Sequence, residues 1–107
     1  MAGANGRPRR RKIALLMMDG ERRKFLAELI EQMGMEVILR AGLEKAGELA
    51  KAGPDLYLLE DGVLGERYDA RLAALERLAA AVDGPVVVLC SKRPSLEGVR
   101  GYEDAGA

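Results

Sequence analysis

Four short apolar runs, separated by longer segments with helical periodicity, constrain the fold of this chain more than any other feature. The runs cover residues 13–18, 36–40, 56–59 and 86–90, and the helical segments cover residues 21–33, 43–51, 69–82 and 95–104. Strands that alternate with helices in this way favour βαβ units, in which helices cover both faces of a parallel sheet. We therefore predict an α/β domain with a doubly wound parallel sheet.

The segment at residues 21–33 has the clearest helical pattern. Asp19 precedes it as a candidate N-cap, and Gly34 follows it as a stop. Its apolar residues recur at helical spacing: Phe25, Leu26, Leu29, Ile30 and Met33. A loop is predicted for residues 61–68, because Gly62 and Gly65 interrupt the pattern before the next helix.

Length and composition limit the chain to one small domain. It has 107 residues, of which 49% are hydrophobic, so it can bury a single core. Cys90 is the only cysteine and there is no histidine, which excludes an intramolecular disulfide and a Cys/His zinc site. No apolar stretch approaches the roughly 18 residues of a membrane span. We expect a cytoplasmic protein.

The N-terminal residues are strongly basic although the formal net charge is zero. Arg7, Arg9, Arg10, Arg11 and Lys12 are close together, and the rest of the chain is net acidic by the same amount. We predict a disordered arm over residues 1–11 and a folded domain over residues 12–107. The arm is suited to contact a polyanion such as nucleic acid, or it serves only to keep the chain soluble.

The third apolar run ends in a carboxylate, Glu60. Ligands of open parallel α/β sheets bind beyond the C-terminal ends of the strands. Glu60 is therefore the first candidate for a functional residue.

The sequence resembles the receiver domain of bacterial two-component response regulators. The resemblance rests on Pro54-Asp55-Leu56-Tyr57-Leu58-Leu59-Glu60, on the glycine-containing loop after it, on the later Pro85-Val86-Val87-Val88-Leu89, and on the closing Glu103-Asp104-Ala105-Gly106-Ala107. It covers residues 12–107 and implies a flavodoxin-like (CheY-like) doubly wound parallel sheet. The fifth strand and fifth helix of the family are not covered, so we expect a sheet of four strands.

The resemblance also implies where the phosphorylation chemistry would lie. The two acidic residues that hold Mg²⁺ in the family fall on Met17 and Met18, and a shift of one residue would bring in Asp19. The phosphoacceptor aspartate falls on Glu60, and the Ser/Thr switch position falls on Cys90. Thioether sulfur does not suit Mg²⁺, and the extra methylene of glutamate displaces the attacking oxygen. We expect no catalytic residue, no metal and no cofactor.

Each of these residues also has a simpler structural interpretation. Glu60 can be an ordinary strand-end carboxylate that pairs with Lys92 or Arg93. Met17 and Met18 can fill gaps in the core, and Cys90 can be a small buried apolar residue.

Three functions are compatible with the sequence. The first is a pseudo-receiver that works without phosphorylation and binds a protein partner, or a second copy, through the last strand and last helix, including Leu96, Val99 and Tyr102. The second is an active phosphoacceptor that uses Asp61 or Glu60, with Asp19 as a metal ligand. The third is a DNA-associated regulator that uses the basic arm.

The last strand is expected to form an exposed edge of the sheet. Unpaired edges invite pairing with another strand. We expect either that the chain is part of a longer protein or that a partner completes the sheet.

Overall fold

A computed structural model describes residues 10–107, and the predicted alternation of strands and helices is confirmed in it. The strands are β1 (Lys12–Leu16), β2 (Glu36–Arg40), β3 (Leu56–Glu60) and β4 (Val86–Leu89). The helices are α1 (Gly20–Gln32), α2 (Ala46–Lys51), α3 (Asp61–Leu64), α4 (Tyr68–Ala81) and α5 (Leu96–Ala105). Among these described residues, no helix is both long enough and apolar enough to span a bilayer.

The four strands form one parallel sheet in the order β2-β1-β3-β4. Lys12 is opposite Glu36 in the β1–β2 pair, Ile13 is opposite Leu56 in the β1–β3 pair, and Glu60 is opposite Leu89 in the β3–β4 pair. Because all strands run the same way, their C-terminal ends meet at one edge of the sheet. β2 and β4 are the two outer strands.

The core has two layers, one on each face of the sheet, as expected for a strand buried on both sides. On one face Ala14 and Leu16 of β1 pack with residues of α4 and α5. On the other face Ile13, Leu15 and Met17 pack with residues of α1. The doubly wound prediction is therefore correct.

α1 begins at the predicted N-cap but buries fewer residues than its apolar pattern indicates. The Asp19 carboxylate accepts hydrogen bonds from the backbone N–H groups of Glu21 and Arg22 at 3.0 and 3.2 Å. Of the five predicted apolar positions, Ile30 is buried and Leu26 is partly buried, whereas three are exposed: Phe25, Leu29 and Met33. Ala27 is buried instead.

Two predicted boundaries are wrong for local backbone reasons. Lys45 has a left-handed φ of 60°, so α2 begins only at Ala46 rather than at residue 43. The predicted loop at residues 61–68 contains the short helix α3, and Tyr68 already belongs to α4. Gly65, with φ of 148°, provides the turn between α3 and α4.

α4 and α5 are joined by an aromatic contact. The rings of Tyr68 and Tyr102 are 5.5 Å apart in an edge-to-face arrangement, and the Tyr68 hydroxyl donates to the carbonyl of Gly98 at 3.0 Å. The Tyr68 ring lies directly against Gly101, where a Cβ atom would collide with its hydroxyl. α5 is thus anchored against α4 next to β4.

Candidate functional site

The C-terminal ends of β1, β3 and β4 bring the predicted site residues to one edge of the sheet. Met17 and Met18 follow β1, Glu60 ends β3, and Cys90 follows β4. The structure adds two residues that the sequence did not single out as a pair, Asp61 and Ser91.

Glu60 reaches from β3 to the end of β1. Its Oε1 accepts a hydrogen bond of 2.6 Å from the backbone N–H of Met18, and its Oε2 lies 3.7 Å from the guanidinium of Arg22. Only 13% of the Glu60 side chain is exposed. The prediction that Lys92 or Arg93 pairs with Glu60 is wrong, because Arg22 at the start of α1 takes that place. The carboxylate is therefore already bound by protein groups on its β1 side.

The two methionines have different roles. Met17 is fully buried in the layer beneath α1, as a gap-filling residue would be. Met18 is 62% exposed, so the prediction that it packs in the core is wrong. The carbonyl of Met17 accepts a hydrogen bond of 2.6 Å from Arg23, which places a second cationic side chain beside the end of β1.

The residues around Glu60 do not fit a magnesium ion. Asp19 is exposed, and one of its oxygens caps α1, while the Met17 side chain is buried beneath α1 and Met18 offers only thioether sulfur. Throughout residues 10–107, no three or more His, Cys, Asp or Glu side chains are grouped so that they could hold a metal ion. Two arginines, Arg22 and Arg23, bring positive charge beside Glu60 and the end of β1, which disfavours a metal cation there.

Asp61 is the only charged residue buried among those described, and it is the centre of a second polar cluster. Its Oδ2 accepts hydrogen bonds from the Ser91 N–H at 3.1 Å, from the Ser91 hydroxyl at 3.2 Å and from Arg71 at 3.3 Å. Arg71 also donates to the carbonyl of Gly65 at 2.6 Å. The cluster ties the end of β3 to α4 and to the loop after β4.

A sequence signal for this cluster existed. Asp61 and Ser91 each stand one position beyond the residues that the receiver pattern indicates, Glu60 and Cys90. Adjacent parallel strands place residues that follow their C-terminal ends side by side. A polar residue directly after each of two neighbouring strands therefore predicts a contact, provided that the two strands are known to be neighbours.

A cavity of about 350 Å³ lies beside this cluster. Asp61, Arg71, Cys90, Lys92 and Tyr102 are among the residues that line it. The prediction that Cys90 is buried is wrong, because the residue is exposed at the cavity. Partial burial of the sulfur raises the pKa of the Cys90 thiol, the negative charge of Asp61 raises it further, and Arg71 opposes the shift. The thiol is therefore less ionised at neutral pH than an ordinary cysteine.

The predicted interaction surface is exposed in part. Leu96 is 66% exposed and Val99 is 37% exposed on α5. Tyr102 is buried between α4 and β4, and burial raises the pKa of its hydroxyl, while Arg71 lowers it. Tyr102 therefore belongs to the core, and it supports the exposed residues of this surface rather than being exposed itself.

The basic arm is largely outside the described residues. Arg7 and Arg9 lie there, so polyanion contact through them stays a prediction. Arg10 and Arg11 are described and exposed. The first strand begins directly after them, at Lys12.

Comparison with solved structures identifies the architecture as that of a receiver domain. The BeF3-activated N-terminal receiver domain of RstA from Klebsiella pneumoniae is 24% identical, with a TM-score of 0.72 over 89% of this chain and 80% of that chain. A response regulator protein from Burkholderia pseudomallei, solved with a phosphorylated aspartic acid, a calcium ion and citrate, is 18% identical, with a TM-score of 0.72 over 91% of this chain and 56% of that chain.

A third similar structure is not named as a response regulator. It comes from a protein of Burkholderia thailandensis assigned to pilus assembly and is 24% identical, with a TM-score of 0.64 over 90% of this chain and 80% of that chain. Neither a protein-family model nor a curated protein sequence matches this chain. The flavodoxin-like, CheY-like fold predicted from the sequence is thus confirmed, while the identities are too low to transfer an activity.

Proposed function

We propose that this chain is a receiver-like domain that acts without phosphorylation, as a protein-interaction module in bacterial signal transduction or transcription regulation. The domain is not an enzyme in this proposal. The surface that carries the interaction is formed by α5 and β4.

The observation that supports this proposal most strongly is that the Glu60 carboxylate already forms intramolecular contacts with Met18 and Arg22. Phosphoryl transfer needs a carboxylate oxygen that is free to attack in line and cations that neutralise the incoming charge. One oxygen of Glu60 instead accepts a hydrogen bond from the Met18 N–H, and the other oxygen forms an ion pair with Arg22. The longer side chain makes this reach from β3 to β1 possible.

Glu60 also keeps a permanent negative charge at the place where relatives with an aspartate would acquire one by phosphorylation. The neighbouring cluster of Asp61, Arg71 and Ser91 holds the loop between β4 and α5 through direct hydrogen bonds. We infer that the α5–β4 surface is held in a single binding-competent arrangement.

Incubation with Mg²⁺ and a small phosphoryl donor tests the proposal. We expect the intact mass to stay that of the unmodified chain, and the backbone amide spectrum to stay unchanged when Mg²⁺ and beryllofluoride are added. A conventional receiver domain in the same reaction shows that the donor is active. An acyl phosphate on this chain would overturn the proposal.

A matched variant sharpens the test. Met18→Asp combined with Glu60→Asp supplies two carboxylates of the length that Mg²⁺ and phosphoryl transfer require, at positions outside the core. We expect Mg²⁺ to perturb the amide spectrum of this variant and to leave that of the original chain unchanged. Equal responses of the two proteins would show that Glu60 and Met18 are not what prevents metal binding.

Asp61 is the other acid that the sequence offered as a phosphoacceptor. It is 5% exposed, and its Oδ2 is occupied by Arg71 and Ser91. Attack through this oxygen would require these contacts to break first, and the 5% exposure limits access to the rest of the carboxylate. The same mass measurement covers this alternative, because peptide mapping distinguishes a modified Asp61 from a modified Glu60.

A further inference from the structure

The outer edge of β4 has a defined set of free backbone groups. The Tyr57 N–H donates to the carbonyl of Pro85 at 2.9 Å, which shows that Pro85 points its backbone groups toward β3. In a parallel ladder this direction alternates along the strand. Val86, Val88 and Cys90 therefore point their N–H and C=O groups away from β3, and none of these groups has a hydrogen-bond partner among residues 10–107.

Apart from its short length of four residues, this edge lacks the features that usually protect an outer strand. β4 consists only of Val and Leu, and the nearest charged residue after it is Lys92. Val87 is 41% exposed. Charged side chains, prolines and bulges are the usual means of blocking edge-to-edge pairing, and β4 itself contains none of them.

An apolar groove accompanies the edge. It has a volume of about 340 Å³ and lies between β4 and α5, with Val88, Val99 and Tyr102 among its lining residues. The exposed side chain of Leu96 stands at the start of the same helix. A strand that paired with β4 would cover part of this groove.

The charges near the two ends of β4 favour pairing with β4 of a second copy in the antiparallel direction. Asp83 precedes β4 and Arg93 follows it, both are exposed, and neither forms an ion pair within the described residues. A second copy aligned antiparallel brings Asp83 of one copy toward Arg93 of the other at both ends of the strand pair. A parallel alignment would bring like charges together, which is unfavourable.

The backbone pattern specifies the register of such a pair. In an antiparallel ladder, residues that exchange hydrogen bonds must both point their backbone groups at the partner strand. A two-fold axis at Val88 satisfies this requirement, because Val88 then faces Val88 of the second copy and Val86 faces Cys90 of the second copy. All the free groups of the edge are paired, and the same register brings the turn that carries Asp83 and the loop that carries Arg93 of the other copy to the same end of the strand pair.

The geometry points to a symmetric homodimer in which the β4 strands of two copies pair antiparallel about Val88 and join the two four-stranded sheets into one. The axis is perpendicular to the sheet, so both α5 helices lie on the same face and flank the new strand pair. This inference builds on the proposed function, since it names a second copy as the partner of the α5–β4 surface.

Sedimentation velocity of the 107-residue chain over a range of concentrations tests the dimer. We expect a reversible shift from monomer to dimer as concentration rises. Cys90→Pro removes an outward N–H and places a ring at the edge, so the dimer is lost, whereas Cys90→Ser keeps the N–H and retains it. A chain that stays monomeric at all concentrations, or a dimer that persists in Cys90→Pro, would overturn the inference.

Charge exchange tests the orientation. Asp83→Arg alone and Arg93→Asp alone should each raise the dimer dissociation constant several-fold, and the double variant should recover affinity. Additive losses in the double variant would contradict the antiparallel pairing. In a background of Cys90→Ser, the combination of Val87→Cys and Leu89→Cys should form an intermolecular disulfide, because residue 87 faces residue 89 of the other copy in this register.

The two proposals fail in different experiments. An acyl phosphate on Glu60 or Asp61 would overturn the phosphorylation-independent function and leave the strand pairing intact. A monomer that takes up no phosphate would overturn the dimer and leave the chemistry at Glu60 as proposed.

Discussion

Replacement of Asp61 by alanine should destabilise the domain strongly, because it leaves a mostly buried cation without its partner. Loss of one member of a buried ion pair costs about 3 to 5 kcal/mol. Here the cost is reduced, since the Arg71 side chain is 22% exposed and keeps its hydrogen bond to Gly65, and Ser91 can bind water instead. We expect a decrease of about 2 to 3 kcal/mol in the free energy of unfolding.

Urea unfolding followed by circular dichroism measures this decrease. Asp69→Ala is the matched control, because Asp69 pairs with Arg67 at 3.4 Å while both side chains are more than 70% exposed. Its loss should cost about 1 kcal/mol or less, from an exposed ion pair and a charge in the first turn of α4. An Asp61→Ala protein within about 0.5 kcal/mol of the original would refute the assignment of Asp61 as a structural centre.

Three further predictions concern individual side chains. The thiol of Cys90 should react with iodoacetamide with a pH midpoint above that of a free cysteine, because partial burial and then Asp61 raise its pKa, and Asp61→Asn should lower the midpoint. Burial, followed by Asp83, raises the pKa of Tyr57, so folding favours the neutral phenol. The contribution of the neutral Tyr57 hydroxyl to stability is complete below the unfolded pKa of about 10 and is lost as the pH rises through the folded pKa. The melting temperature should therefore decrease as the pH rises above about 10, and it should decrease less in Tyr57→Phe. Glu60→Gln should leave the free energy of unfolding in urea nearly unchanged, because the amide oxygen can still accept the hydrogen bond from the Met18 N–H. Glu60→Ala should lower the free energy of unfolding by about 1 kcal/mol. Equal losses in the two variants would show that the charge of Glu60, rather than its hydrogen bond, stabilises the fold.

The order and type of the main elements followed from local patterns. Apolar runs of strand length and segments with helical period differ clearly in this chain, and Asp19 and Gly34 mark the ends of α1 as capping chemistry requires. The errors arose where one unusual backbone angle interrupts a pattern, as at Lys45, or where one turn of helix is too short to show a period, as in α3.

Burial was less predictable than periodicity. Phe25, Leu29 and Met33 fit the apolar pattern of α1 and are nevertheless exposed, because the part of α1 that packs on the sheet consists of Ala27 and Ile30 with Leu26 at its margin. A helical period shows which residues share a face. It does not show how much of that face the neighbouring layer covers.

The positions of the site residues could be read from the chain, but their partners could not. Glu60, Met17, Met18 and Cys90 lie at the sheet edge where the strand ends predicted them, because side chains that follow parallel strands share that edge. Each pairing depends instead on how separate elements are packed together. Glu60 meets Arg22 since α1 starts beside the end of β1, and Asp61 meets Ser91 and Arg71 since β4 and α4 flank the end of β3, across 10 to 30 residues of chain.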